Sequence, residues 1–428
     1  MSFWSGYQLA FESIRVSHFF STSSFTKAYM TTNAVNQQQQ QLTFLLILVL
    51  GAIAALTPLA IDMYLPAMPD IARDLSVTPG QVQQTLAAYT AGFAIGQLIH
   101  GPISDSYGRR PVLIGGVAFF LVGGVVSALA ADIETLTYVR AAQGFFGAAA
   151  AVVIAALVRD MFDREEFART MSFITLVMTV APLAAPMIGG YLAVWFGWRS
   201  IFWVLAGFAA LVIVLVLSLI PETLPGQGRP PLRLGSTLRN YMKILRSRKS
   251  VGYIFASGFS FAGMFSFLTA GAFVYIDYYG VSTQNFGYLF GLNVVCLIVM
   301  TSFNGKFVRK IGSEKMLQIG LTIQLLSGIA LIAGQAFEWG LWGTVIPVMF
   351  FVGTISIVGS NSMACVLSAY PELAGTASSL AGTLRFGTGT IVGGTVAVIH
   401  VNSAWPMTGA MAACAFLSAL FYWGLAKK

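Results

Sequence analysis

Charge is the scarcest feature of this sequence. Asp, Glu, Lys and Arg together make up 9% of its residues, against roughly 25% in soluble globular domains, which excludes an ordinary water-soluble fold. Cysteine is nearly absent as well. Cys296, Cys365 and Cys414 fall in apolar runs without CxxC spacing or a neighbouring histidine, so neither a disulfide framework nor a zinc site is indicated and the thiols read as buried and inert. No metal and no cofactor is expected. A GxxxxGK[ST] phosphate loop is missing, which excludes ATP hydrolysis by that route. HExxH, GxSxG and a plausible catalytic triad are missing too, and His100 and His400 stand near span ends. The chain does not read as an enzyme.

What fills the sequence is apolar. The hydrophobic fraction is 57% over 428 residues, and a membrane-spanning helix needs about 20 predominantly apolar residues. The pattern predicts an all-α integral membrane fold of twelve spans, at 43–65, 81–104, 111–131, 134–157, 169–194, 198–220, 251–275, 284–305, 314–334, 341–367, 374–399 and 404–425. The longest connection, 221–250, contains Pro221 and Pro225 and carries Arg229, Arg233, Arg239, Lys243, Arg246, Arg248 and Lys249. It divides the chain into a tail (1–42), a six-helix half (43–220), a basic linker (221–250) and a second six-helix half (251–428). Residues 1–29 hold no apolar core long enough for a signal peptide. Either the working protein begins at Met30, or this stretch is a cytoplasmic tail.

Basic residues mark one face of the membrane. Arg109, Arg110, Arg159, Arg164, Arg169, the linker, Lys306, Arg309, Lys310, Lys315, Lys427 and Lys428 share one side. The other holds little more than Arg73 and Arg199 among acids such as Asp70, Asp74, Asp132 and Asp277. The positive-inside rule then predicts that both termini are cytoplasmic in a bacterial inner membrane. Because the charges alternate between loops rather than forming one patch, the net +8 does not indicate nucleic acid. The halves also repeat: Gly101 and Gly108 after the second span match Gly305 and Gly312 after the eighth, at one common offset. Parallel six-span repeats of this kind build secondary carriers.

Three stretches carry the chemistry. Gly101-Pro102-Ile103-Ser104-Asp105-Ser106-Tyr107-Gly108-Arg109-Arg110-Pro111 reads as a turn that needs glycine's backbone freedom. There Asp105, Arg109 and Arg110 can pair with one another and with helix ends, holding one face closed in one state. The fourth span contains Arg140, followed by Gln143 and Gly144. A guanidinium inside a span costs about 2.5–3.5 kcal/mol on insertion scales and usually faces the bundle interior; the alternative is an arginine that snorkels to the surface. In the fifth span Pro182, Pro186, Gly189 and Gly190 suit a hinge, or ordinary close packing of helices.

In this order, the three stretches resemble the major facilitator superfamily, specifically its drug/proton antiporters with twelve spans. Asp62 to Pro69, Met171-Ser172-Phe173, Gly258 to Phe267 and Ala374 to Phe386 are similar to the Bcr/CflA group. The resemblance runs from about Met30 to the C-terminus. It implies proton-coupled efflux of small antibiotics such as bicyclomycin, sulfonamides or chloramphenicol-type drugs; the alternative is export of a metabolite such as cysteine. By resemblance Arg140 and Asp62 are the proton-coupling residues, although Asp62 can instead anchor a helix end beside Pro66. Gating is expected at Gly101, Asp105, Gly108, Arg109, Arg110, Pro186, Gly189 and Gly190. Ala185 and Ala181 stand where the family's fifth-span motif has glycine, and no second acid occurs near Ala54. Candidate substrate contacts are Tyr64, Phe261, Phe265 and Arg385, the phenylalanines having core or lipid packing as their alternative. The expected partners are a small drug, protons and the bilayer, with no nucleic acid, and the expected state is a monomer.

Overall fold

A computed structural model describes residues 45–162, 164–224, 234–399 and 403–427. Every interaction given below lies within one compact unit, Val49–Lys428. The start at Met30, His400 and much of the basic linker fall outside the described residues. No strand occurs among those described. Among the described residues thirteen helices follow one another: α1 (Leu45–Asp74), α2 (Pro79–Tyr107), α3 (Arg109–Leu129), α4 (Ile133–Met161), α5 (Arg164–Phe196), α6 (Arg199–Leu219), α7 (Leu234–Leu245), α8 (Arg248–Tyr278), α9 (Thr283–Ile311), α10 (Ser313–Ala336), α11 (Gly340–Ala369), α12 (Ala374–Val398) and α13 (Trp405–Ala426). Ten of them are long and apolar enough to cross a membrane; α7 is a short helix of the linker.

The remaining two, α2 and α12, are equally long but less apolar, for a reason that lies in their packing. They pack on each other. The Thr390 hydroxyl donates to Thr90 at 3.0 Å, and the rings of Phe93 and Phe386 meet at 4.7 Å between centroids. The Gln97 Oε1 lies against Gly382, where a Cβ would collide with it. A helix shielded from lipid in this way keeps polar groups at little cost because each finds a partner on its neighbour.

Helix boundaries repeat as the motif spacing predicts. Thr78 caps α2 through a capping box with Gln81, and Ser282 caps α9 through the Asn285 N–H at 3.3 Å. Gly108 ends α2 with φ 110° and Gly312 ends α9 with φ 88°. This region of backbone space is costly for any side chain and open to glycine. Residues 78 and 282 share the offset of 108 and 312, as do Arg73 and Asp277, 204 positions apart.

Two boundaries differ from expectation. The second span was expected to end at residue 104, in a motif read as a turn from Gly101 to Pro111, yet α2 continues to Tyr107, so the turn contracts to Gly108 alone. The first span does not end at residue 65 either. Its regular helix stops at Asp62, passes through a turn and the 3-10 segment Leu65–Ala67, and resumes at Met68–Asp74. Pro66 supplies the cause, since it has no N–H to offer the Asp62 carbonyl one turn earlier.

Candidate functional site

The site begins with a close approach of two helices. A Cβ on Gly144 would overlap the Tyr89 carbonyl, and one on Gly92 would overlap Ala141, so glycine at both positions lets the α2 and α4 backbones touch. That approach presses the Tyr89 ring against Arg140, whose guanidinium carbon lies 4.2 Å from the ring centroid. Tyr64 and Phe202 complete an aromatic box at 5.0 and 5.8 Å. Arg140 is fully buried, at 0% exposure, which rules out snorkelling to the surface. Its Nη1 donates to the Gln143 Oε1 at 2.8 Å and its Nη2 to the Ala60 carbonyl at 3.0 Å. Gln143 in turn donates to the Phe120 carbonyl at 3.3 Å. The charge is therefore balanced by π faces and carbonyl dipoles, and no carboxylate among the described residues pairs with it.

Asp62 lies two residues beyond the carbonyl that Arg140 grips. It is buried, at 6% exposure, and makes neither an ion pair nor a hydrogen bond among the described residues. It lines a cavity of about 330 Å³ with Thr57, Phe93, Gln97, Pro182 and Phe386. A second cavity of about 610 Å³ shares the wall formed by Met178, Phe261 and Met264, and is lined by Ser and Thr hydroxyls and by Arg385. It reaches Tyr253, Val366 and Ser378, close to the α8, α11 and α12 ends that face the linker. Phe93, Phe386, Phe261 and Phe265 form a chain of rings at 4.7, 4.9 and 5.8 Å between successive centroids, crossing from α2 through α12 to α8.

Each predicted residue now has a place. Asp62, Phe261, Phe265 and Arg385 come together around the two cavities. Tyr64, expected to touch substrate, does not line them: it is fully buried under Arg140 and its hydroxyl meets Thr85 at 2.7 Å. Thr85 spends its own proton on the Val82 carbonyl, so Tyr64 is the donor. Sequence reasoning missed Phe93, Gln97, Pro182 and Phe386 as cavity residues. Gln97, an amide inside a span, was a usable signal; the phenylalanines had none.

The gating candidates fall at opposite ends of the bundle. At the linker end Arg109 pairs with Asp105 and reaches Asp160 at 3.4 Å, and it donates to Ser104 at 2.8 Å. The Glu222 carboxylate accepts the backbone N–H groups of Arg109 and Arg110 at 3.0 and 3.3 Å, where it also meets the positive end of the α3 dipole. Arg110 donates to the Leu217 carbonyl at 2.6 Å. At the other end a Cβ on Gly189 would overlap Met63, and one on Gly287 would press on Met187 at 2.9 Å; Gly190 lies beside the Thr283 carbonyl, 3.0 Å from where its Cβ would stand. α5 runs unbroken through Pro182 and Pro186. Arg73 reaches Asp277 at 3.4 Å, joining equivalent points of the two repeats.

Membrane-length helices in offset repeats, enclosing cavities lined by a buried acid and by Arg385, with Arg140 fully buried beside them, define a multi-pass secondary carrier. The chain belongs to the major facilitator superfamily, whose family model matches residues 49–394. It is 44% identical to a bicyclomycin resistance protein homolog of Haemophilus influenzae, over 91% of this chain and 98% of that protein. A chloramphenicol resistance protein of Pseudomonas aeruginosa is 28% identical over 84% of this chain and 86% of its own length. Among solved structures, the partially occluded inward-open xylose transporter XylE from E. coli superposes with a TM-score of 0.71, at 16% identity, over 90% of this chain and 98% of that one. At that identity the likeness concerns the fold.

Proposed function

We propose that this protein exports small amphipathic drugs, of the kind named for its relatives, in exchange for protons. The observation that carries the reading is Asp62: a buried, unpaired carboxylate on a cavity wall, beside a guanidinium balanced without it. A carboxylate so placed is costly to ionise, and becomes easier to ionise as water or a cationic neighbour approaches. An acid of this kind takes up a proton when the cavity faces a proton-rich side and gives it up when it faces the other. One elementary charge crossing the membrane releases about 2.3 kcal/mol per 100 mV, enough to drive a useful concentration ratio. Because the relatives carry drug-resistance names, the cysteine alternative is not carried further.

In this reading the chain sits in a bacterial inner membrane with both termini cytoplasmic, works as a monomer and a carrier rather than an enzyme, and binds no nucleic acid. The charge asymmetry of the loops supports the orientation. With that orientation the linker end is cytoplasmic and the described conformation, whose larger cavity reaches toward that end, reads as inward-facing. The two six-helix halves, 43–220 and 251–428, would then move against each other about the cavities. Gly101, Asp105, Gly108, Arg109 and Arg110 act at the cytoplasmic end, and Pro186, Gly189 and Gly190 at the closed outer end. Cells producing the chain should survive higher concentrations of chloramphenicol or bicyclomycin than control cells, and an uncoupler should erase the difference. Resistance that persists with the proton gradient collapsed would reject proton coupling.

A further inference from the structure

Arg385 is the one charged side chain among the described residues that line the larger cavity, and its circumstances are unlike those of Arg140. Arg140 spends its Nη groups on Gln143 and Ala60. Among the described residues the Arg385 guanidinium has no hydrogen-bond acceptor and no ion-pair partner, and its Nε is buried without one. Its only contact of note is the Phe261 ring, 4.8 Å from the guanidinium carbon. Gly359 leaves it room, for a Cβ there would stand 2.8 Å from an Nη. No carboxylate among the described residues lines this cavity. Its polar wall is hydroxyl, and Thr175, Thr179 and Ser360 already donate their protons to carbonyls of their own helices, at 2.7–2.8 Å. An arginine held off its rotamer-rich tail by a ring, with its planar fork of donors unused, is a recognition element awaiting acceptors.

We infer that Arg385 is the specificity-determining residue of the carrier. It binds an oxygen acceptor of the substrate, such as a carbonyl, nitro, sulfonyl or carboxylate group, while the Phe93–Phe386–Phe261–Phe265 rings take the apolar remainder. The inference rests on the exporter reading and adds to it a substrate class: neutral or anionic oxygen-bearing amphiphiles, with permanent organic cations excluded. Exclusion follows from charge. An unbalanced guanidinium in a low-dielectric cavity repels a second cation more strongly than water would. Phe261 contributes twice, as a wall for apolar groups and as the π face that keeps the guanidinium aimed across the cavity.

The test is equilibrium binding to the purified full-length protein, with chloramphenicol as the oxygen-bearing probe and tetraphenylphosphonium as the apolar cation. Wild type should bind chloramphenicol and bind the cation weakly. Arg385→Met should lose chloramphenicol affinity by roughly tenfold or more, the cost of removing a charged hydrogen-bond donor, and should gain affinity for the cation. That gain also shows that the variant is folded. Arg385→Lys, which keeps the charge but loses the fork, should fall between the two for chloramphenicol and still exclude the cation. Chloramphenicol binding that is unchanged within twofold in Arg385→Met would overturn the inference, as would a wild type that prefers the cation. Export is measured separately, as drug-driven proton movement in vesicles. Drug export that survives in Arg385→Met with unchanged selectivity rejects this inference alone, whereas Arg385-dependent binding without any proton movement rejects the exporter reading alone.

Discussion

In the proposed exchange, Arg140 and Asp62 divide the electrostatic work between them. The guanidinium is fixed by three aromatic faces, Gln143 and the Ala60 carbonyl, so its geometry depends on a planar fork that an ammonium cannot reproduce. Arg140→Lys should retain only part of the drug export, and Arg140→Ala should retain almost none; full activity in the alanine variant, measured by drug accumulation, would remove the charge from the mechanism. The Ala60 carbonyl lies just before the helix break that Asp62 begins. Losing Arg140 therefore also loosens the turn that presents the acid. For Asp62→Asn the expected outcome is retained drug binding with export against a gradient abolished, because the amide keeps the shape and polarity but carries no exchangeable charge.

At the scale of helices, close approach governs what can be changed. Gly144 lies so near the Tyr89 backbone that any side chain overlaps it. Gly144→Val should therefore destabilise the α2–α4 pair by ~1–3 kcal/mol or more, the usual penalty of overpacking, and lower the yield of folded protein in detergent on size-exclusion chromatography. Asp105 is different. It is half exposed and pairs with Arg109 one turn on, a contact worth little to stability at such a surface. Asp105→Asn should impair export while leaving membrane abundance nearly unchanged, because its contribution is to one conformational state; normal export in that variant would remove Asp105 from the gate. The α2–α3 turn was legible in the sequence because its determinants are local. A glycine at positive φ, an i,i+4 ion pair and a basic run all sit within one motif. The last turn of α2, from Asp105 to Tyr107, was not legible, since Asp105, Ser106 and Tyr107 lie beyond the apolar run that sets the span.

For the whole molecule, the repeat offset visible in two glycine pairs extends to the caps Thr78 and Ser282 and to the Arg73–Asp277 pair. Hydropathy was enough to predict the helical architecture. The interior was harder to foresee. The partners of Arg140 come from α1, α2 and α6, and the isolation of Arg385 depends on what α8 and α11 fail to place beside it; neither is encoded in spacing along one helix. Asp62 was recognisable as the acid inside an apolar run, and Pro66 explained its helix end without revealing that it lines a cavity. Arg73→Ala should weaken the outer end by removing a link between the repeats, and should shift the population toward outward-open forms, read as increased labelling of a cysteine placed at Met187, whose side chain packs against Gly287.

The central claim is that drug leaves as protons enter through Asp62. Inverted membrane vesicles energised to an acidic interior, with a pH-sensitive dye reporting the gradient, test it directly. Addition of chloramphenicol should release protons from vesicles carrying the wild-type chain and leave the gradient intact in vesicles carrying Asp62→Asn at equal abundance. Equal proton release from both would contradict the account.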